Sequence, residues 1–463
     1  MKELNVGFVG CYQTNFNVDF ALRTLKKSVE ALEKLSKERN FSFCPIRKGV
    51  FNKDGAVRAK KELEDKKVDF VLIQNSSFAP GEIIPVLANI GTRRLGLWAV
   101  PEPTEEGPLP LNSLCGMNMY GSIIGQYLRD HNVTAKWFFG EVEDPLFQNR
   151  FGLTLKVLSA LKNLSQSRIG LIGGIAPGFY DLYFDERELQ SKYGVCISHH
   201  EFSEIVQKVN SYPDSRVMKL AEQIKKEGTN KGLDSEYFEK AARVYLVLEE
   251  IAKENGYRAL AVSCWPKFQN EYQFDVCSTL GRLNHNGIVA SCEGDIPGAL
   301  SMLLLNYLNQ DRSMLMDLVK FDTVDDSVLM WHCGPTARCW ANKKGMKYCT
   351  HYIDKMGIIN DMVFQPQPTT IMRITTEGRK MLLATADILS SNKKSYDGSR
   401  GWFGNLKILG EKISSLDFIN TVMVHRLEHH FPIAGGDLTD ELMEVSRWLD
   451  IEPLSSVRYQ NYL

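Results

Sequence analysis

The chain has 463 residues, 44% of them hydrophobic, which is enough for two or three domains with sizeable cores. Its 55 Lys and Arg residues nearly balance its 56 Asp and Glu residues, so the net charge of -1 gives no electrostatic reason to expect nucleic acid or an anionic membrane as a partner. No apolar run approaches the roughly 18 residues of a transmembrane helix and no signal peptide is visible, so we expect a cytoplasmic protein with free thiols at its ten scattered cysteines.

Residues 1–165 alternate short apolar runs with amphipathic segments. The runs at 4–10, 68–74 and 95–100 are typical of buried strands, and the segment 18–38 is typical of an amphipathic helix. Strands that alternate with helices predict a parallel sheet. The sequence therefore predicts an N-terminal α/β domain.

The same pattern restarts at residue 168 and predicts a second α/β domain over residues 166–318. Its strands are expected at 168–174, 259–264 and 287–292, and a helix at 295–308 begins with Pro297 in its first turn. The pair Gly173-Gly174 is interpreted as a tight turn, because the glycine order of a phosphate-binding loop is missing.

Residues 319–463 change character and are rich in β-type runs. The segments 327–331, 369–375 and 380–385 indicate an antiparallel sheet or barrel, and 439–449 predicts a closing helix. The predicted fold class is α/β, with two doubly wound parallel-sheet units followed by a β-rich, barrel-like C-terminal domain.

Two acidic residues stand in apolar surroundings. Glu293 closes the strand 287–292, at the carboxyl end where ligands bind in α/β folds. Asp317 lies within the apolar run 314–319. A buried carboxylate is costly without a partner, which favours a metal ligand, although a salt bridge or a helix cap would also satisfy either group.

Histidines at predicted strand ends are candidate partners for these carboxylates. His429 and His430 follow the strand-like run 422–428, and only one of two adjacent strand residues is expected to face a given metal. His332 ends another predicted strand. The alternative for each is an ordinary core or surface histidine. Two carboxylates and an imidazole predict an open oxygen and nitrogen site for a hard divalent cation.

Several segments in this order resemble the superfamily of L-fucose isomerase and L-arabinose isomerase. The resemblance spans most of the chain, and the spacing of Glu293 and Asp317 and the position of His430 match the metal ligands of the family. The segments that carry it are Cys264-Trp265-Pro266, residues 292–305, Asp317, Trp331-His332-Cys333-Gly334 and Glu428-His429-His430.

The resemblance implies an aldose–ketose isomerase of a monosaccharide that uses Mn²⁺, with other divalent metals possible, and a cis-enediol(ate) intermediate. Glu293, Asp317 and His430 would bind the metal, and the two carboxylates would also shuttle the proton. It further implies that Trp265 stacks on the sugar, that Asn112 contacts it, and that His332 binds either the metal or the sugar. The protein is expected to be a homo-oligomer, either a trimer or a hexamer.

The substrate and the class of function both have alternatives. Some shorter members of the family isomerise sulfoquinovose to 6-deoxy-6-sulfofructose, and Arg338, or Arg400 beside Trp402, would suit its sulfonate, although such arginines are more often at the surface. A non-catalytic sugar-binding protein is the alternative of another class, but it would not need all three predicted metal ligands. The missing glycine motif argues against a dinucleotide enzyme.

Overall fold

The computed structural model describes residues 3–353 and 355–462. The chain forms two compact units, Met1–Lys162 (unit 1) and Asn163–Leu463 (unit 2). Unit 2 holds both the second parallel sheet and the β-rich segment. The boundaries expected near residues 165 and 318 stay predictions.

Unit 1 is built, in its described part, on a five-stranded parallel sheet with the order β2-β1-β3-β4-β5. The strands are β1 Asn5–Cys11, β2 Ser42–Val50, β3 Phe70–Asn75, β4 Arg94–Ala99 and β5 Thr134–Phe139. The three predicted strands of this region are therefore confirmed, with ends shifted by about one or two residues, as is usual for strand boundaries read from sequence.

Helices cover the unit 1 sheet and bury its apolar residues. They are α1 Val18–Arg39, α2 Lys53–Asp65, α3 Ile83–Leu87, α4 Ser113–Tyr127 and α5 Pro145–Leu164, with a 3-10 turn at Arg129–His131. Helix α1 begins where the Asn17 side chain accepts a hydrogen bond from the Phe20 amide, and it ends at Asn40 in the left-handed conformation.

Unit 2 begins with a four-stranded parallel sheet, counted over the described residues, with the order β7-β6-β8-β9. Its strands are β6 Arg168–Ile172, β7 Cys196–His200, β8 Tyr257–Val262 and β9 Val289–Ser291. Its helices are α6 Glu186–Tyr193, α7 Phe202–Asn210, α8 Asp214–Glu227, α9 Ser235–Asn255, α10 Lys267–Tyr272, α11 Cys277–His285 and α12 Ile296–Asn309, with a 3-10 turn at Tyr180–Leu182.

The rest of unit 2 is a β-sheet that closes on itself. Its strands are β10 Met314–Asp322, β11 Ser327–His332, β12 Lys347–Cys349, β13 Ile359–Val363, β14 Pro368–Ile374, β15 Lys380–Ile388, β16 Ser399–Ile408, β17 Glu411–Lys412, β18 His430–Gly435 and β19 Glu452–Pro453. Antiparallel pairing runs in the order β10-β11-β16-β15-β14-β18 and returns to β10. The predicted fold class, including the barrel, is confirmed.

Helix α12 lies between the parallel sheet of unit 2 and the barrel. It contacts β8 and β9 on one side and β14 and β18 on the other, and nearly all its side chains are buried. A helix that is apolar all round is expected in such a position. Its N-terminus follows Glu293 directly, so α12 brings the end of β9 to the barrel.

One local expectation was wrong. The run 422–428 does not form a strand, because helix α13 Ser415–Val424 extends into it and a turn follows. A capping box between Ser414 and Asp417 starts this helix. The remaining helix, α14 Thr439–Leu449, has the predicted bounds, and a 3-10 turn lies at Arg338–Trp340. Over the described residues, every helix is too short or too polar to cross a membrane.

Candidate functional site

A strained turn presents Glu293 at the carboxyl end of β9. Glu293 has a φ of 60°, which is rare for a residue other than glycine, and Gly294 follows with a φ of 76°. A Cβ at Gly294 would lie 2.9 Å from the Cα of Ile175, so only glycine fits there. Asp295 then caps α12 by accepting a hydrogen bond from the Gly298 amide at 2.8 Å. The turn therefore fixes the position of Glu293 at the carboxyl end of the sheet.

The barrel supplies the second carboxylate and two imidazoles. Asp317 on β10 pairs with His430 on β18, and His430 Nε2 lies 3.7 Å from Asp317 Oδ1. The rings of His332 and His430 stack with their centroids 5.5 Å apart. One ligand atom from each of Asp317, His332 and His430 lies within 4.8 Å of the others. This spacing fits a single bound cation.

Glu293 joins this group from the turn between β9 and α12. Its Oε2 lies 3.5 Å from His430 Nε2 and 3.0 Å from His429 Nε2. The structure therefore brings together the three predicted metal ligands, Glu293, Asp317 and His430, and adds His332 and His429 to them.

Three buried polar atoms in this cluster lack a hydrogen-bond partner among the described residues. They are Asp317 Oδ1, His332 Nε2 and His430 Nε2. Leaving buried polar atoms unpaired is costly, and a shared cation would satisfy all three at once. Carboxylate and imidazole donors suit a divalent cation such as Mn²⁺, so these residues fit the predicted group.

The pKa values within the cluster depart from their ordinary range. Burial raises the pKa of Asp317, and the neighbouring His332 and His430 partly oppose the change. Burial would lower the pKa of His332, but Asp317, Cys333 and Glu293 together outweigh it and raise the pKa to about 10. A bound cation would compete with the protons that these shifts favour.

A buried ion-pair network fixes the orientation of His430. Its Nδ1 lies 3.0 Å from Asp295 Oδ2, and Asp295 is ion-paired to Arg373, which also lies 3.4 Å from Glu428. Burial opposes ionisation of Asp295, but Arg373 and His430 hold its pKa well below the usual range. Asp295 is therefore an acceptor, so Nδ1 carries the proton and Nε2 is left free to bind a cation.

His429 links Glu293 to a further carboxylate. Its Nδ1 lies 2.8 Å from Asp181 Oδ2 while its Nε2 contacts Glu293. Burial lowers the pKa of His429, but the hydrogen bonds to Glu293 and Asp181 raise it to about 9. Strand β18 begins at His430, so His429 lies just before it. The rule that adjacent strand residues point to opposite faces therefore does not apply to this pair, and both histidines reach the Glu293 carboxylate.

A cavity of about 170 Å³ opens beside Glu293. Trp265 lies on its wall with 39% of its surface exposed, and its ring meets Phe179 edge-on. This position of Trp265 agrees with the prediction that it stacks on a sugar, since an exposed indole face suits the apolar face of a sugar. Four cysteines also line this cavity.

The remaining predicted contact residues do not line this cavity. Asn112 lies in unit 1, where it precedes α4 with a φ of 52°. Arg338 is ion-paired to Glu227, and Arg400 to Asp361. Trp402 is buried, 4% exposed, under the amine of a lysine. Substrate contact by these four residues, and by His332 in the cluster with Asp317 and His430, stays a prediction.

Sequence reasoning missed Asp181, Asp295 and Arg373. Arg373 stands alone as a cation in an apolar strand, β14, and that isolated charge was a usable signal for a buried ion pair. Asp295 was predicted only as the start of a helix, and nothing in the local pattern marked Asp181.

Comparison with known proteins identifies relatives over most of the chain. A sulfoquinovose isomerase from Priestia megaterium (strain ATCC 12872 / QMB1551) is 29% identical over 394 residues, covering 84% of this chain and 86% of that protein. The chain has sulfoquinovose isomerases as homologues. One from Alkalicoccus urumqiensis is 28% identical over 83% of this chain and 85% of its own length. One from Clostridium sp. (strain MSTE9) is 26% identical over 98% of this chain and 99% of its own length.

Family models and solved structures identify no further relative that supports an inference. No protein-family model matches the chain. A glucose-galactose binding protein from Geobacillus stearothermophilus aligns at 13% identity over 67% of this chain and 90% of that chain, with a TM-score of 0.17, which is too low to support an inference. The names of the four homologues confirm the prediction of an isomerase enzyme. Membership of the L-fucose isomerase superfamily stays a prediction.

Proposed function

We propose that this protein is a metal-dependent aldose–ketose isomerase and that its substrate is sulfoquinovose, which it converts to 6-deoxy-6-sulfofructose. The observation that carries the proposal is the convergence of Glu293, Asp317 and His430 around unpaired buried polar atoms, beside a cavity. The homologues named sulfoquinovose isomerase support both the reaction class and the substrate.

Glu293, Asp317 and His430 would hold the divalent cation, with His332 as a further candidate. A bound Mn²⁺ would act as a Lewis acid on the sugar's carbonyl and hydroxyl oxygens and so acidify the proton at C2. The residues themselves have complementary tasks. Asp295 holds His430 in one tautomer, and Trp265 offers an aromatic face to the sugar ring.

The two carboxylates are proposed to move the proton between C2 and C1 through a cis-enediol. Glu293 accepts the proton from C2, because it lies on the wall of the cavity and its Oε2 is held by His429 Nε2 at 3.0 Å. Asp317, the other carboxylate of the cluster, is assigned the role of proton donor to C1. Two titratable groups in different environments are the usual arrangement for paired acid and base roles.

The choice of sulfoquinovose rests on the homologues and not on the two predicted arginines. Arg338 and Arg400 already pair with carboxylates, so neither offers an uncompensated charge to a sulfonate. A neutral sugar such as L-fucose is therefore the comparison that tests the substrate. We also propose a homo-oligomer, trimer or hexamer, which light scattering of the purified protein would measure.

The test is to incubate sulfoquinovose, L-fucose, D-arabinose and L-arabinose with Mn²⁺-loaded and with chelator-treated protein. NMR of each sugar monitors its isomerisation. Sulfoquinovose is expected to react fastest, and chelation to abolish the reaction. Glu293→Gln should lose at least about 100-fold in rate, since acid–base catalysis contributes about 10²–10⁴-fold. Glu377→Gln, at an exposed turn, is the matched control. Sugar binding without turnover by the metal-loaded protein would overturn the proposal in favour of a sugar-binding protein.

A further inference from the structure

Sulfur atoms form one wall of the cavity beside Glu293. Four cysteines and one histidine line it: Cys264, Cys277, Cys292, Cys333 and His351. All four cysteines are free thiols, and three of them are buried. The proposed function uses none of these groups, and they differ in chemistry from the oxygen and nitrogen donors of the Glu293, Asp317 and His430 cluster.

These groups come from separate segments that only the fold brings together. Cys277 opens helix α11, Cys333 follows strand β11, and His351 follows strand β12. The Sγ atoms of Cys277 and Cys333 lie 3.3 Å apart, and one ring nitrogen of His351 lies within 4.8 Å of both. No Cys-x-x-Cys motif exists, so the sequence alone carries no sign of the cluster.

Two thiols and an imidazole at this spacing match a tetrahedral zinc site. With Zn–S bonds of about 2.3 Å, two thiolate ligands sit about 3.8 Å apart, so Cys277 and Cys333 need to separate by only about 0.5 Å. The ring of His351 also lies 3.7 Å from Asp275 Oδ2, and a carboxylate behind a ligating histidine is typical of zinc sites.

We propose that Cys277, Cys333 and His351 form a second metal site, which binds a thiophilic divalent cation of the zinc type. Binding converts two thiols to thiolates and releases two protons, while the imidazole binds as the neutral ring. Thiolate donors select against Mn²⁺ and Mg²⁺, so this site is chemically distinct from the carboxylate and imidazole site.

A cation in the thiol site would inhibit the enzyme. Cys333 follows His332 in the chain, and its Sγ lies 3.2 Å from His332 Nδ1, so the two sites share a wall. An ion there would occupy the space in which the proposed function places the sugar. The inhibition rests on the proposed function, whereas the metal site does not.

Cobalt titration of the full-length protein tests the site without any sugar. Under a phosphine reductant, Co²⁺ should give a sulfur-to-cobalt charge-transfer band that saturates near one equivalent and disappears when Zn²⁺ is added. The band should persist in Glu293→Gln, which alters only the carboxylate site, and in Cys196→Ser, an exposed cysteine elsewhere. Cys277→Ser should abolish it. If Cys277→Ser does not fold, His351→Asn should weaken Co²⁺ binding at least tenfold.

The result that overturns the site is a folded wild-type protein with no such band, or a band that Cys277→Ser leaves unchanged. Inhibition is measured separately. The assay contains excess Mn²⁺ and sulfoquinovose, and the rate of each protein is expressed relative to its own rate without Zn²⁺. The Zn²⁺ concentration that halves the rate should be at least tenfold higher for Cys277→Ser than for the wild-type protein. If no sugar is turned over, the proposed function fails and the cobalt band alone decides the metal site.

Discussion

Replacing Asp295 by Asn tests whether the buried network beneath His430 supports the metal site. Asp295 is fully buried and serves three partners: it caps α12, pairs with Arg373 and contacts His430 Nδ1. Asn keeps an oxygen acceptor for the cap, so the helix end is preserved. What the change removes is the negative charge opposite the fully buried Arg373.

The expected loss of stability follows from that uncompensated charge. Removing one partner of a buried ion pair costs about 3–5 kcal/mol. Glu428 lies 3.4 Å from Arg373 and offsets part of the loss, so we expect the lower end, about 3 kcal/mol. Loss of a supporting partner of a metal ligand typically weakens metal binding about 10–100-fold, and the same loss is expected for Mn²⁺.

Urea unfolding of the metal-free protein measures the first quantity, and calorimetric titration with Mn²⁺ measures the second. Asp311→Asn, at an exposed aspartate, is the control. Asp295→Asn combined with Arg373→Met and Glu428→Gln should recover much of the stability, because it removes all three charges of the buried network together. If Asp295→Asn changes the unfolding free energy by less than about 0.5 kcal/mol and leaves Mn²⁺ affinity unchanged, the network does not support the site.

Three further predictions concern other parts of unit 2. Lys393 lies 3.6 Å over the ring of Trp402 and pairs with two carboxylates, so Lys393→Met should lower the unfolding free energy in urea by about 1–2 kcal/mol while kcat stays unchanged. An NMR titration of the metal-free protein should give His429 a pKa of about 9. The contacts of the charged ring with Glu293 and Asp181 contribute fully to stability below pH 6.5, the ordinary pKa of histidine, and this contribution is lost as the pH rises through about 9. A Cβ at Gly281 would lie 2.6 Å from the backbone oxygen of Thr336, so Gly281→Ala should destabilise the protein by about 1–3 kcal/mol in urea unfolding.

Each of these has a clear contrary result. A large fall in kcat for Lys393→Met would show that Trp402 acts on the substrate and not only in packing. A His429 midpoint at or below 6.5 would show that its two carboxylate contacts do not persist in solution. An unchanged unfolding midpoint for Gly281→Ala would show that α11 does not pack as closely on the neighbouring backbone as the structure indicates.

Local patterns in the sequence determined most of the helices and strands and one residue of the site, Glu293. The closing helix Thr439–Leu449 has its predicted bounds, and α12 starts after Asp295 with Pro297 in its first turn. These features depend on side-chain periodicity, capping and backbone preferences within about one turn or strand. Glu293 was predictable for the same reason, since the end of an apolar strand before a helix is a local signal.

Only the tertiary structure decided which distant residues meet. Asp317 faces His430 because β10 and β18 pair in one register, and Glu293 reaches them because α12 packs against both sheets of unit 2. The run before His430 was wrongly predicted as a strand because its apolar residues belong to the last turn of a helix whose cap lies well upstream. Strand register and the packing of α12 depend on contacts across the whole core, and no local stretch of sequence encodes them.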